Sequence, residues 1–160
     1  MQAAKDTFLK TLATRLAVVN PARTVIVDGA SRAAVLTVEN ETALPAGTVL
    51  GTFLLSWEGA GEVVPEGPLM YVDCKVSYGS EGTSDMLGTD RGRVVTAMDA
   101  ELLRISEPTH AVKCDYTKTP PAGLGSNIFW TRPVMAAPTD ANGVLMRTAA
   151  VRVFLFAEVG

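Results

Sequence analysis

The sharpest pattern in the chain lies between Leu69 and Ile105. Met70, Val72, Cys74, Val76 and Tyr78 alternate with Tyr71, Asp73, Lys75 and Ser77, the two-residue period of a strand with one buried face. A polar, glycine-bearing stretch from Gly79 to Asp90 interrupts it. The period then lengthens to that of a helix over about residues 90–105, with Val94, Val95, Met98, Leu102 and Ile105 on one stripe. A strand, a long loop and an amphipathic helix are expected in that order.

Upstream, residues 2–19 carry Phe8, Leu12, Leu16 and Val19 as an apolar stripe, widened by Leu9 and Ala13, while Lys5, Asp6, Lys10, Thr14 and Arg15 face away. That predicts an N-terminal helix, stopped at Asn20-Pro21 because a residue before proline is pushed out of the α region. Residues 24–27 and 33–38 read as short strands around Asp28-Gly29-Ala30-Ser31, a hairpin signal. Arg23 and Arg32 flank that hairpin and suit a solvated edge better than an anion site. After a polar loop at 39–47, residues 48–57 have apolar side chains in both rows, as in a strand covered on both sides.

A glycine- and proline-rich loop is expected at 58–68, a strand at 109–116, an irregular segment at 117–127 and a short strand at 128–131. The turn signal Asp140-Ala141-Asn142-Gly143 precedes residues 146–157, whose two nearly apolar rows place them mid-sheet. The sum is an α+β fold, a mostly antiparallel sheet with the N-terminal helix and a second amphipathic helix packed on it, in one domain over 1–160.

Composition adds one hint and removes several classes. Charged residues make up 19% and apolar ones 48%, and a surface short of charge suggests cover by a partner or by further copies. A net charge of −3 with scattered Lys and Arg argues against nucleic-acid binding, which leaves a basic stripe. No apolar run is long enough for a membrane helix. The first residues, with Lys5, Asp6 and Lys10, do not resemble a signal peptide. Cys74 and Cys114 are therefore expected as buried free thiols in a cytosolic setting.

Candidate chemistry is thin. His110, the single histidine, follows Glu107-Pro108 with no nucleophile elbow or activated thiol in view, and reads as a surface or capping residue. Glu81, Asp85 and Asp90 are the best metal candidates, yet their spacing matches no calcium loop. Asp85 or Thr89 would serve as an N-cap for the following helix, and Asp90 would favour its dipole. The glycines at 79, 82, 88 and 92 have no phosphate-cradling spacing. No catalytic, cofactor-binding or metal residue is assigned, and no cofactor is expected.

Interaction remains. Long loops inside a compact domain are uncommon unless functional or disordered, and Phe129-Trp130-Thr131-Arg132-Pro133 joins an aromatic pair to an arginine, residue types that dominate interfaces. Candidate assembly contacts are Glu81, Asp85, Asp90, Trp130 and Arg132; Phe129 and Trp130 suit a packed core equally well.

The order of an N-terminal helix (3–19), strands, the strand 69–78 running through a loop into Asp90-Arg91-Gly92-Arg93-Val94-Val95-Thr96-Ala97-Met98, and a closing strand at 148–156 resembles that of tail terminator, or tail completion, proteins of long-tailed phages and phage-derived contractile particles. Phe129-Trp130-Thr131-Arg132-Pro133-Val134 is similar to segments of prophage-type tail proteins of this size. The resemblance implies a protein without enzymatic activity that forms a ring, usually hexameric, capping the tail tube, ending its polymerisation and joining the neck or head. It implies assembly in the bacterial host cytoplasm and a place in the virion at the tail–neck junction. The partners would be copies of itself, the tail tube, sheath subunits if the tail contracts, and a neck or connector protein, with no sequence-specific nucleic acid and no membrane. The 79–90 loop would make ring or tube contacts, its acidic residues lining a lumen that repels DNA. Another neck, connector, tube or baseplate subunit, and a small-ligand-binding α+β domain, stay open as alternatives.

Overall fold

The alternating run from Met70 to Tyr78 becomes the centre of a mixed eight-stranded sheet. The computed structural model describes residues 1–44 and 47–157, so positions 45–46 of the expected 39–47 loop lie outside the described residues. Along the chain come α1 (Gln2–Val19), β1 (Thr24–Val27), β2 (Ala30–Ala33), β3 (Val35–Thr37), β4 (Phe53–Glu62), β5 (Leu69–Ser80) and α2 (Arg91–Ile105). Then follow β6 (His110–Asp115), β7 (Ala122–Trp130), β8 (Val134–Met135), β9 (Thr139–Ala141) and β10 (Val144–Phe156). The main sheet runs β3-β4-β5-β10-β7-β6, with β8 and β9 added along β10. Only the β3–β4 pair is parallel among these pairings.

The spine of the sheet is the β5–β10 ladder, in unbroken register from Leu145 opposite Ser80 to Phe156 opposite Leu69. Both helices lie on one face of it. Phe8, Leu12 and Leu16 from α1 and Val95, Met98, Leu102 and Ile105 from α2 are buried against Val72, Cys74, Val76, Val151, Val153 and Leu155. Full burial of side chains of this size contributes roughly 1.5–3 kcal/mol each. Phe8 is the keystone, edge-on to Trp57 at 5.8 Å and to Trp130 at 5.1 Å between centroids. No helix among the described residues is long and apolar enough to cross a membrane.

The α+β architecture, both helices and the central place of the last strand agree with the sequence pattern; several boundaries do not. The expected strand 33–38 splits, because β2 pairs only with β1 while β3 joins the main sheet. The β1–β2 turn is the two-residue Asp28-Gly29, with φ of 51° and 77°, which is what a tight hairpin demands. The expected strand 48–57 starts only at Phe53, continues to Glu62 through an irregularity between Trp57 and Ala60, and is buried on one face only. The segment 117–127 is not one loop, since β7 begins at Ala122 and pairs with β6. Cys74 is buried but Cys114 is half-buried, and both are free thiols.

Arg15, expected to face away from the core, reaches across to α2. Its guanidinium donates to the carbonyls of Ile105 (3.0 Å) and Pro108 (2.8 Å) and lies 5.5 Å from the centre of Trp130. It thereby satisfies a carbonyl at the end of α2 that has no helical partner. Partial burial lowers its pKa from the ordinary arginine value.

Candidate assembly surfaces

The segment between β5 and α2 is a folded loop, not a slack one. Asp90, at the start of α2, makes no cap bond; its carboxylate instead accepts the Thr83 N–H at 2.8 Å and the Thr83 hydroxyl at 2.9 Å. Those bonds, the amide first, hold the Asp90 carboxyl below its usual pKa. Gly88 N–H donates to Thr83 O at 3.1 Å, and Thr89 Oγ1 donates to Met86 O at 2.7 Å. Gly82 packs so closely that a Cβ there would come 2.7 Å from the Gly88 Cα. At the tip a short 3-10 turn, Ser84–Met86, ends in Leu87 at φ 52°, which is 90% exposed.

The sequence candidates separate. Glu81 and Asp85 are exposed on this loop, whereas Asp90 is turned inward as its latch. Trp130 is a core residue, 4% exposed, with its ring N–H donating to Ser106 O at 2.8 Å; its side chain offers nothing to a partner. Arg132 is exposed and ion-paired to Glu107 at 2.8 Å. Neither Asp85 nor Thr89 caps α2, because the residue in the N-cap position is Asp90. Among the described residues no three His, Cys, Asp or Glu side chains gather as a metal site.

Two polar clusters fix α2 and, with it, the end of the loop. Asp99 accepts the Tyr78 hydroxyl and the Arg147 guanidinium, the latter at 2.8 and 3.1 Å. Burial first, and the bond to Asp99 second, push the Tyr78 hydroxyl far above its usual pKa. Glu101 accepts Asn20 at 2.6 Å and pairs with Arg23. Arg23 is therefore a tie between the start of β1 and α2, and neither a solvated edge nor an anion site. Arg91 secures the loop's far end to β9 through Asp140 at 3.0 Å.

The sheet face opposite the helices carries a second feature. His110 stands opposite Phe129, Phe129 opposite Phe154, Phe154 opposite Tyr71, and Tyr71 opposite Gly61. Directly paired antiparallel residues share a face, so four rings from four strands form one row. Gly61 makes room for its end, since a Cβ there would lie 3.0 Å from the Tyr71 hydroxyl. Arg152 sits 3.8 Å over Tyr71 and grips Asp73 at 2.8 and 3.0 Å. That grip, the hydrogen bond foremost, holds the Asp73 carboxyl below its usual pKa. Phe129, Phe156, Val112 and Val134 on this face are exposed. Sequence reasoning missed the row because each strand supplies one ring, and only the register brings them together.

No family model matches the chain, and no curated protein matches it. Solved structures are similar to the chain, one of them over 99% of this chain and 97% of that one, at TM-score 0.50 and 13% identity. At that identity the likeness shows the fold alone.

Proposed function

We infer that the chain is a structural subunit of a phage-type tail, closing into a ring with copies of itself at the end of the tail tube, ending its growth and presenting a surface to the neck. The observation that supports this is the ordered apolar surface the fold leaves uncovered. Val112, Phe129, Val134 and Phe156 stand 58%, 44%, 69% and 43% exposed on one sheet face. Exposed apolar side chains gathered on one face are what a subunit keeps for neighbours. The helix–strand–loop–helix layout of tail terminators supplies the rest of the argument. Size-exclusion chromatography with light scattering, followed by negative-stain microscopy, tests it. The expected result is a closed ring of uniform order, six by the resemblance; a chain that stays monomeric throughout its soluble range overturns the reading.

A further inference from the structure

We propose that the groove between α1, the β1–β2 hairpin and β3 binds a small zwitterion of amino-acid size. The groove has a volume of about 390 Å³, in the range of small-molecule sites. The observation that points to a ligand is Thr37, which lines the groove and is 3% exposed. Its hydroxyl has no hydrogen-bond partner, and it is the one buried side-chain polar atom in that position among the described residues. An unpaired buried hydroxyl is costly to a fold and calls for a reason. A polar ligand in the groove gives it a partner.

Charge says what kind of ligand. Of the charged residues on the lining, Arg32 and Glu41 pair with each other. Lys10 on the α1 wall and Asp28 at the hairpin turn are both exposed, and neither side chain has an ion-pair or hydrogen-bond partner among the described residues. A simple anion or cation in the groove would meet a like charge as well as an opposite one, whereas a molecule carrying both signs satisfies each wall. The described lining holds no aromatic ring, so neither a nucleobase nor a sugar has a face to stack on. Half-buried Leu9 and Ala13 offer an apolar patch beside Lys10. An amino acid with an aliphatic side chain fits this set, its carboxylate towards Lys10 and its ammonium towards Asp28. The hairpin forms a two-stranded sheet apart from the main one, an arrangement of marginal stability by itself, and a ligand spanning Lys10 and Asp28 ties its turn to α1. The groove is complete within one chain, so the proposal does not depend on the ring reading.

Calorimetric titration of the intact chain with L-leucine tests it, with hydrogen-exchange mass spectrometry to locate the site. Expected are saturable binding at millimolar concentration or below and slower exchange in β1 and β2. N-acetyl-L-leucine, which lacks the ammonium, and L-leucinamide, which lacks the carboxylate, should each bind at least about fivefold more weakly. Asp28→Asn keeps a residue that tolerates the φ of 51° at the turn, and should erase the preference for L-leucine over its N-acetyl form. Lys10→Gln should erase the preference over the amide. Thr37→Val should weaken L-leucine about three- to tenfold, while its thermal midpoint without ligand stays unchanged or rises because an unpaired hydroxyl has become a methyl group. No saturable binding at tens of millimolar, equal binding of the three ligands, protection outside the groove, or undiminished binding by Thr37→Val overturns the proposal and leaves the ring reading standing.

Discussion

The two faces of the β5–β10 ladder share one backbone and divide its work. On the helix side, Val72, Cys74, Val76, Tyr78, Val151, Val153 and Leu155 are all 3% exposed or less. On the other side, Tyr71, Asp73, Lys75 and Ser77 meet Phe154, Arg152, Ala150 and Thr148, a mosaic of rings and charge pairs that no element covers. Polar groups occur on both faces but are handled differently. Under α2, Asp99, Tyr78 and Arg147 satisfy one another in a confined space. On the open face, Arg152 and Asp73 pair in view of solvent. The covered face holds the fold together, and the open face is free to be specific.

Substitutions should separate these roles, most strongly on the covered side. Phe8→Ala removes the ring that bridges Trp57 and Trp130, and should lower unfolding free energy by about 3–5 kcal/mol in urea titration. Asp99→Ala strands the Tyr78 hydroxyl and the Arg147 guanidinium, with an expected loss of about 2–3 kcal/mol. Arg152→Ala on the open face should leave the unfolding free energy nearly unchanged, as for other solvent-exposed ion pairs, while NMR titration shows the Asp73 carboxyl returning upward towards its ordinary pKa. Phe129→Ser should change stability by about 0.5 kcal/mol or less yet weaken self-association. A Phe129→Ser chain that unfolds as readily as Phe8→Ala would erase the contrast between the faces.

The smallest effect concerns acid. The folded pKa of Asp90 is depressed, so its latch on Thr83 is fully present above the unfolded value of about 4 and is lost as pH falls through the lower folded value. The hydrogen-exchange protection of the Thr83 amide, relative to its intrinsic rate at each pH, should fall in that window while the β5–β10 amides stay protected.

Where apolar residues recur with a clean period, as in α1, α2 and β5, the elements were legible in the sequence. The stretches that misled are the glycine-bearing ones. Gly59 and Gly61 fall in β4, and Gly123 and Gly125 in β7, each beside a register shift. Glycine weakens local strand preference, so only the neighbouring strand reveals the pairing. Single side chains with distant partners were equally hidden. Arg15 looked solvent-facing on its own helix because its acceptors lie 90 to 95 residues away. Of the assembly candidates, Glu81, Asp85 and Arg132 stand exposed, whereas Trp130 and its exposed neighbour Phe129 become distinguishable only when strand parity sets one inward and the other outward.

The hydroxyl of Thr7 accepts the amide of Cys114 on the outer edge of β6, across 107 residues of chain. In the order of synthesis, α1 is therefore finished long before the strand edge it guards exists. The helix meets β2, β3 and Glu39 early but β6 only late, and closing such distant contacts is slow because the loop entropy falls due before the contacts reward it. The sheet cannot close until β10 enters between β5 and β7, so the strands from β5 to β9 are all made before the ladder that unites them.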